Sequence, residues 1–165
     1  MRYDEHANMS TNEGSGKAAE SIESEIRNLC ENQSFAVLAT QGQGQPYTSL
    51  IGFALTEDLK YIVFSTPRET RKFTLMEENN HVSFFIDDRA SQPDSIDKIS
   101  ALTVTARVEI QTTKEDIEKW SNILIKKHPY LETFAQSDTT AIVVAKVFRY
   151  FYVRRFQEVL EWAPK

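Results

Sequence analysis

The sequence predicts an α+β domain built on an antiparallel barrel or half-open sheet. Three observations carry this class. Six segments pattern as strands, few segments pattern as helices, and only two of those helices fall between strands. A doubly wound fold would alternate strand and helix throughout and would need longer crossovers.

Residues 1–17 are polar and without periodicity, and predict a disordered tail ahead of a single domain over 18–165. From Ala18 to Asn32, Ile22, Ile26, Leu29 and Cys30 mark one helical face. "SFAVLAT" (34–40) is a continuous apolar run of the kind buried on both sides. Gly42 and Gly44 then mark a turn, and "PYTSLIGFAL" (46–55) returns as a second strand. "YIVFS" (61–65) is the third strand and "HVSFFID" (81–87) the fourth. After a polar loop at 88–99, "SALTVTARVEI" (100–110) alternates from end to end, the least ambiguous strand in the chain. Thr112 with Glu115 forms a capping box for a helix that buries Ile117, Trp120, Ile123 and Leu124. "AIVVAKVFRYFYVRRF" (141–156) reads as a long last strand. It is apolar on both faces, with Val147, Phe151 and Val153 opposite Phe148, Tyr150 and Tyr152, which points to a dimer.

The 165 residues are 41% hydrophobic and 26% charged, enough for one core without staples. A net charge of −5 argues against nucleic acid or an anionic membrane as partner. One cysteine, Cys30, excludes an internal disulfide and reads as a buried apolar residue. His6, His81 and His128 show no metal-ligand spacing, and the aspartates Asp87, Asp88 and Asp94 match no calcium loop. With no membrane-span-length apolar run and no signal-peptide pattern, the expectation is a cytoplasmic protein.

Chemistry concentrates at "STPRETRK" (65–72). Thr66, Pro67 and Glu69 fit an N-cap, a first helical position and a capping-box acid. Arg68, Arg71 and Lys72 then fall at i, i+3 and i+4 on one face of the helix. Cations there oppose the positive end of the helix dipole, so either the face is solvated or an anion sits against it. Free N–H groups, the hydroxyls of Ser65 and Thr66 and converging cations suit a phosphate monoester. No glycine-rich phosphate loop accompanies them.

The stretch from Ser34 to Asp88 resembles the FMN-binding split-barrel flavoproteins related to pyridoxamine 5'-phosphate oxidase. The resemblance lies in the order and spacing of "FAVLAT", "GQGQPYTSLIGF", "YIVFST" and "TRKFTLMEENNHVSFFID". It implies a six-stranded antiparallel split β-barrel with flanking helices, forming a homodimer with FMN at the subunit interface. It places the FMN phosphate on Arg71 and Lys72, with Ser65 and Thr66 at the end of the third strand. It sets Ser49, Leu50, Ile51 and Gly52 beside the isoalloxazine ring; by itself a glycine within a strand suits close approach or a bulge equally. Such a protein is a small flavin-dependent oxidoreductase acting on a small molecule or a nicotinamide donor. A non-catalytic flavin-binding or sensing module, or a relative using deazaflavin or haem, is the alternative. The chain departs from the vitamin oxidase itself: Ala54 stands where that enzyme has a basic residue. Ser100 and Ala101 replace its flavin-contacting glutamine, and "FQEVLEWAPK" holds no histidine. These departures argue against vitamin B6 oxidation. Trp162 either covers a flavin of the partner or packs on the dimer.

Overall fold

The computed structural model describes residues 16–92, 94–155 and 158–165, so the predicted tail falls almost wholly outside the described residues. Helix α1 spans Gly16–Asn32, strand β1 Phe35–Gly42, β2 Gln45–Leu55 and β3 Tyr61–Pro67. Then come α2 (Arg71–Glu78), β4 (His81–Asp87), β5 (Ala101–Ile110), α3 (Lys114–Lys127) and the short α4 (Glu132–Ala135). The chain closes with β6 (Thr140–Arg154) and β7 (Glu158–Trp162).

Hydrogen bonding orders the strands β3-β2-β1-β4-β5-β6, every pair antiparallel, and β3 also pairs with β6. That last pairing closes a six-stranded barrel. Strand β7 adds to β6 outside the closure. The barrel follows from alternation: Leu38, Phe53, Phe64, Phe84, Leu102 and Val104 point inward and are fully buried. Phe64 meets Phe84 edge to face at 5.9 Å in the interior. Ile26, Leu29 and Cys30 of α1 and Phe73 and Met76 of α2 join the same core. A second core forms outside the wall, where Leu124 of α3 and Ala135 of α4 cover Ala54, Val63 and Ile142. No described helix is long and apolar enough to cross a membrane.

Several local expectations are corrected. The capping box at Thr66 does not form, because β3 continues through Pro67 in register with Thr140 of β6. A proline is tolerated there because its missing N–H faces away from the ladder. The helix starts four residues later, with Thr70 in extended backbone as its N-cap and Arg68 outside it. The second capping box is displaced by one residue. Thr113 accepts from the Asp116 N–H at 3.1 Å and its hydroxyl donates to the Asp116 carboxylate at 2.6 Å. The β1–β2 turn is made by Gln43 and Gly44, both at positive φ, whereas Gly42 stays in β1 and gives room to Leu75.

The last strand also differs. Register shifts between Thr105 and Ala106 leave Phe148 as an extra residue, a β-bulge. The bulge reverses the side-chain parity. Val147 and Tyr150 both face the core, and Phe148 turns outward against His81. Strand β7 follows a turn at Arg155 (φ 49°) and is tied down where Arg154 meets Glu158 through two nitrogens. Trp162 lies on the Tyr150 ring at 5.6 Å and against the core.

Candidate functional site

Strands β2 and β3 pair only over Phe53–Leu55 with Phe64–Ile62. Upstream of Phe53, β2 pairs with β1 alone, from Phe35 opposite Gly52 to Gly42 opposite Gln45. Downstream of Phe64, β3 pairs with β6 alone. The wall therefore splits between residues 46–52 and 65–67, and α2 begins at the mouth of the split. Strand edges in such a split keep backbone N–H and C=O groups that a planar polar ligand can satisfy.

Ser49, Leu50, Ile51 and Gly52 lie along the β2 side of this split, and Ser65 and Thr66 along the β3 side. Ile51 is buried, whereas Leu50 is 68% exposed on the outer wall. The Ser49 hydroxyl oxygen is buried and has no hydrogen-bond partner among the described residues. A buried hydroxyl without a protein partner keeps its capacity to bond a polar group brought to the split. Thr66 is fully buried; its hydroxyl lies 3.2 Å from that of Thr70, which donates to the Pro67 carbonyl at 2.9 Å. These bonds hold the β3–α2 corner rigid.

Arg71 and Lys72 are the first two residues of α2. Among the described residues no carboxylate pairs with Arg68, Arg71 or Lys72. Lys72 is half-buried, and burial draws its ammonium below the ordinary lysine range. The Arg71 guanidinium lies over the Tyr47 ring at 5.1 Å, and Arg68 over Phe73 at 5.8 Å. The structure thus brings Arg71 onto β2 at one end of the split, with Lys72 next to it in the first turn of α2. Sequence reading missed Tyr47, although its alternation with Ser49 in "QPYTSL" sets both on one face of the strand.

The side of Gly52 on which a side chain would stand is already filled. A Cβ there would lie 3.3 Å from Leu131 Cδ1 and 3.9 Å from His128 Nε2, so the chain's own segment after α3 occupies the space. His128 is itself a missed residue. It is 1% exposed, and its Nε2 donates to the Phe53 carbonyl at 2.8 Å, which leaves Nδ1 to accept from the Tyr130 hydroxyl at 3.3 Å. Burial lowers its pKa below the usual value of 6.5; the Phe53 bond opposes that shift and the Lys127 charge adds to it. The unfolded chain then takes up a proton in a range where the folded chain does not. The stability is present above that value and lost as pH falls through the lower folded one. Thermal melts from about pH 7.5 to about pH 5 should show a larger loss for wild type than for His128→Gln, which keeps a donor but cannot ionise. Parallel pH profiles would remove His128 as the cause.

Of the remaining candidates, Cys30 is 1% exposed and burial pushes its thiol up to about 12, which fits an inert core residue. Asp87 pairs with Arg89, and Asp88 accepts from the Ser100 N–H at 2.8 Å. No metal-binding cluster occurs among the described residues. A cavity of about 330 Å³ on the outer wall is lined by His81, Ser83, Thr105 and Phe148.

Comparison with known proteins agrees with this architecture. A heme binding protein from Mycobacterium smegmatis matches with a TM-score of 0.75 at 14% identity, over 86% of this chain and 57% of its own. A protein of Clostridium acetobutylicum related to general stress protein 26, of the pyridoxinephosphate oxidase family, matches with a TM-score of 0.69 at 18% identity, over 87% and 95%. A FAD-binding protein from Mesorhizobium loti matches with a TM-score of 0.61 at 12% identity, over 78% and 91%. These likenesses concern the fold. No curated protein matches the chain in sequence. The family model for pyridoxamine 5'-phosphate oxidase matches residues 22–154, and the chain, a split barrel in both pattern and topology, belongs to that family.

Proposed function

We infer that the chain binds FMN in the split between β2 and β3 and serves as a small flavin-dependent oxidoreductase. One coincidence carries the reading. Arg71 and Lys72, which pair with no carboxylate among the described residues, begin α2. The Tyr47 that Arg71 reaches shares its β2 edge with Ser49, whose buried hydroxyl has no partner among the described residues. A phosphate monoester supplies the negative charge and acceptors that these groups lack. Arg71 and Lys72 would hold the phosphate, with Ser65, Thr66 and Ser49 at its rim, and the free edge of Leu50, Ile51 and Gly52 would receive the ring's amide-like edge. When bound, the flavin supplies hydride and electron transfer; the protein supplies orientation and charge.

The outer wall supports a homodimer. Leu50, Val37, Phe85, Thr103 and Phe151 stand opposite one another in register across five strands, and Phe35 flanks them. Leu50, Phe35 and Phe85 are 68%, 52% and 39% exposed. A contiguous apolar row of this kind suits a self-complementary contact beside the split. Haem has less to hold it: both nitrogens of His128 are engaged, which leaves His81 as the accessible imidazole among the described residues.

One preparation tests the reading. The purified protein, incubated with FMN and then freed of excess, should elute as a dimer with a bound-flavin spectrum that bleaches when NADH or NADPH is added without oxygen. A folded monomer that retains no flavin, or a Soret band in place of the flavin spectrum, overturns it. Retained flavin that no nicotinamide reduces would favour the binding module.

A further inference from the structure

We propose that Tyr47 is the positioning residue of the phosphate clamp: its ring holds the Arg71 guanidinium at the split, so that a phosphorylated flavin is told apart from the unphosphorylated one. This rests on the FMN reading and goes beyond it, because Tyr47 touches no ligand in that scheme.

Arg71 is exposed and begins a helix, where the dipole repels a cation. No carboxylate among the described residues restrains it. Left alone, such a side chain samples many rotamers in water and loses that freedom on gripping an anion. Tyr47 changes this. Its ring faces the Arg71 guanidinium at 5.1 Å, within the range of a cation–π contact. The strand that carries the ring is in turn tied to its neighbour. Tyr47 stands opposite Thr40 of β1, whose hydroxyl donates to the Tyr47 carbonyl at 3.3 Å. A guanidinium held over a ring by cation–π attraction spends none of its N–H groups on the ring, and those are the donors that grip phosphate oxygens in pairs. The clamp is therefore set before the anion arrives, and the ring rather than the hydroxyl does the setting.

The experiment compares Tyr47→Leu and Tyr47→Phe with wild type through two readouts. The first needs no flavin: the Arg71 Nε–H resonance should carry a ring-current shift in wild type and Tyr47→Phe, and lose it in Tyr47→Leu. The second is titration with FMN and with riboflavin, followed by flavin fluorescence. Tyr47→Leu should weaken FMN by roughly three- to tenfold and leave riboflavin unchanged, while Tyr47→Phe keeps both. Unchanged FMN affinity in Tyr47→Leu, or equal losses for both flavins, overturns the clamp. If wild type takes up neither flavin, the FMN reading falls and inorganic phosphate becomes the probe. Phosphate shifts of the Arg71 resonance seen in wild type and Tyr47→Phe but not in Tyr47→Leu then uphold the clamp, and identical shifts in all three overturn it.

Discussion

Lys127→Met should lower the melting temperature by roughly 6–12 °C, corresponding to about 3 kcal/mol in a chain of this size. The Lys127 ammonium donates to the carbonyls of Cys30 and Gln33, each at 2.7 Å, and lies 3.9 Å from the centre of the Phe53 ring. Both carbonyls belong to the C-terminal end of α1, where helical carbonyls lack partners and the dipole is negative. One side chain from α3 thus closes the end of a helix some ninety residues earlier and seats it on the barrel. Burial pushes Lys127 down to about 8, so the charged form still prevails at neutral pH. Methionine fills the same space and donates nothing, leaving two carbonyls poorly solvated. Thermal denaturation followed by circular dichroism is the check. A fall under about 2 °C would mean that water replaces the ammonium at no cost.

Lys72→Ala and Arg71→Ala should each weaken FMN by more than about tenfold while changing riboflavin little, since a charge-assisted contact to phosphate contributes about 2 kcal/mol. The lysine should show the larger loss. It is half-buried and already pays in desolvation for a charge without a carboxylate partner among the described residues, so its contact with an anion is less screened by water. Arg71 is exposed, and part of its effect should disappear in high salt. Isothermal titration of both variants with both flavins at low and high salt decides the matter. Losses of equal size for FMN and riboflavin would show that these side chains do not read the phosphate.

Much of the barrel is legible in the residues because its strands obey a simple period. "SALTVTARVEI" alternates without interruption, and in the structure Leu102, Val104, Ala106 and Val108 are buried as a single row. Legibility fails where tertiary pairing outweighs local preference. Thr66, Pro67 and Glu69 carry a sound helix-start pattern, yet pairing with β6 holds Thr66 and Pro67 extended, Glu69 falls in the turn that follows, and a second threonine at 70 takes over the cap. The bulge at Phe148 reverses parity within one strand, which no periodicity count can reveal. β7 is short and follows a turn at Arg155 that has no glycine, so it lacked the usual mark of a hairpin. At the site, Arg71 and Lys72 stood out through charge. Tyr47 and His128 did not, because their roles depend on partners distant in sequence.

Strand β6 has a consequence for how the polypeptide reaches this state. Its first half fills the free edge of β3 and most of its length fills that of β5. Until residue 140 is available, a chain emerging from the ribosome holds two strands with raw edges, separated in sequence by α2 and β4. The barrel cannot be assembled piecemeal from its amino-terminal side; closure is a single late stitch that removes both edges together. In the interval, the shielding of those edges falls to folding speed and to whatever meets the nascent chain.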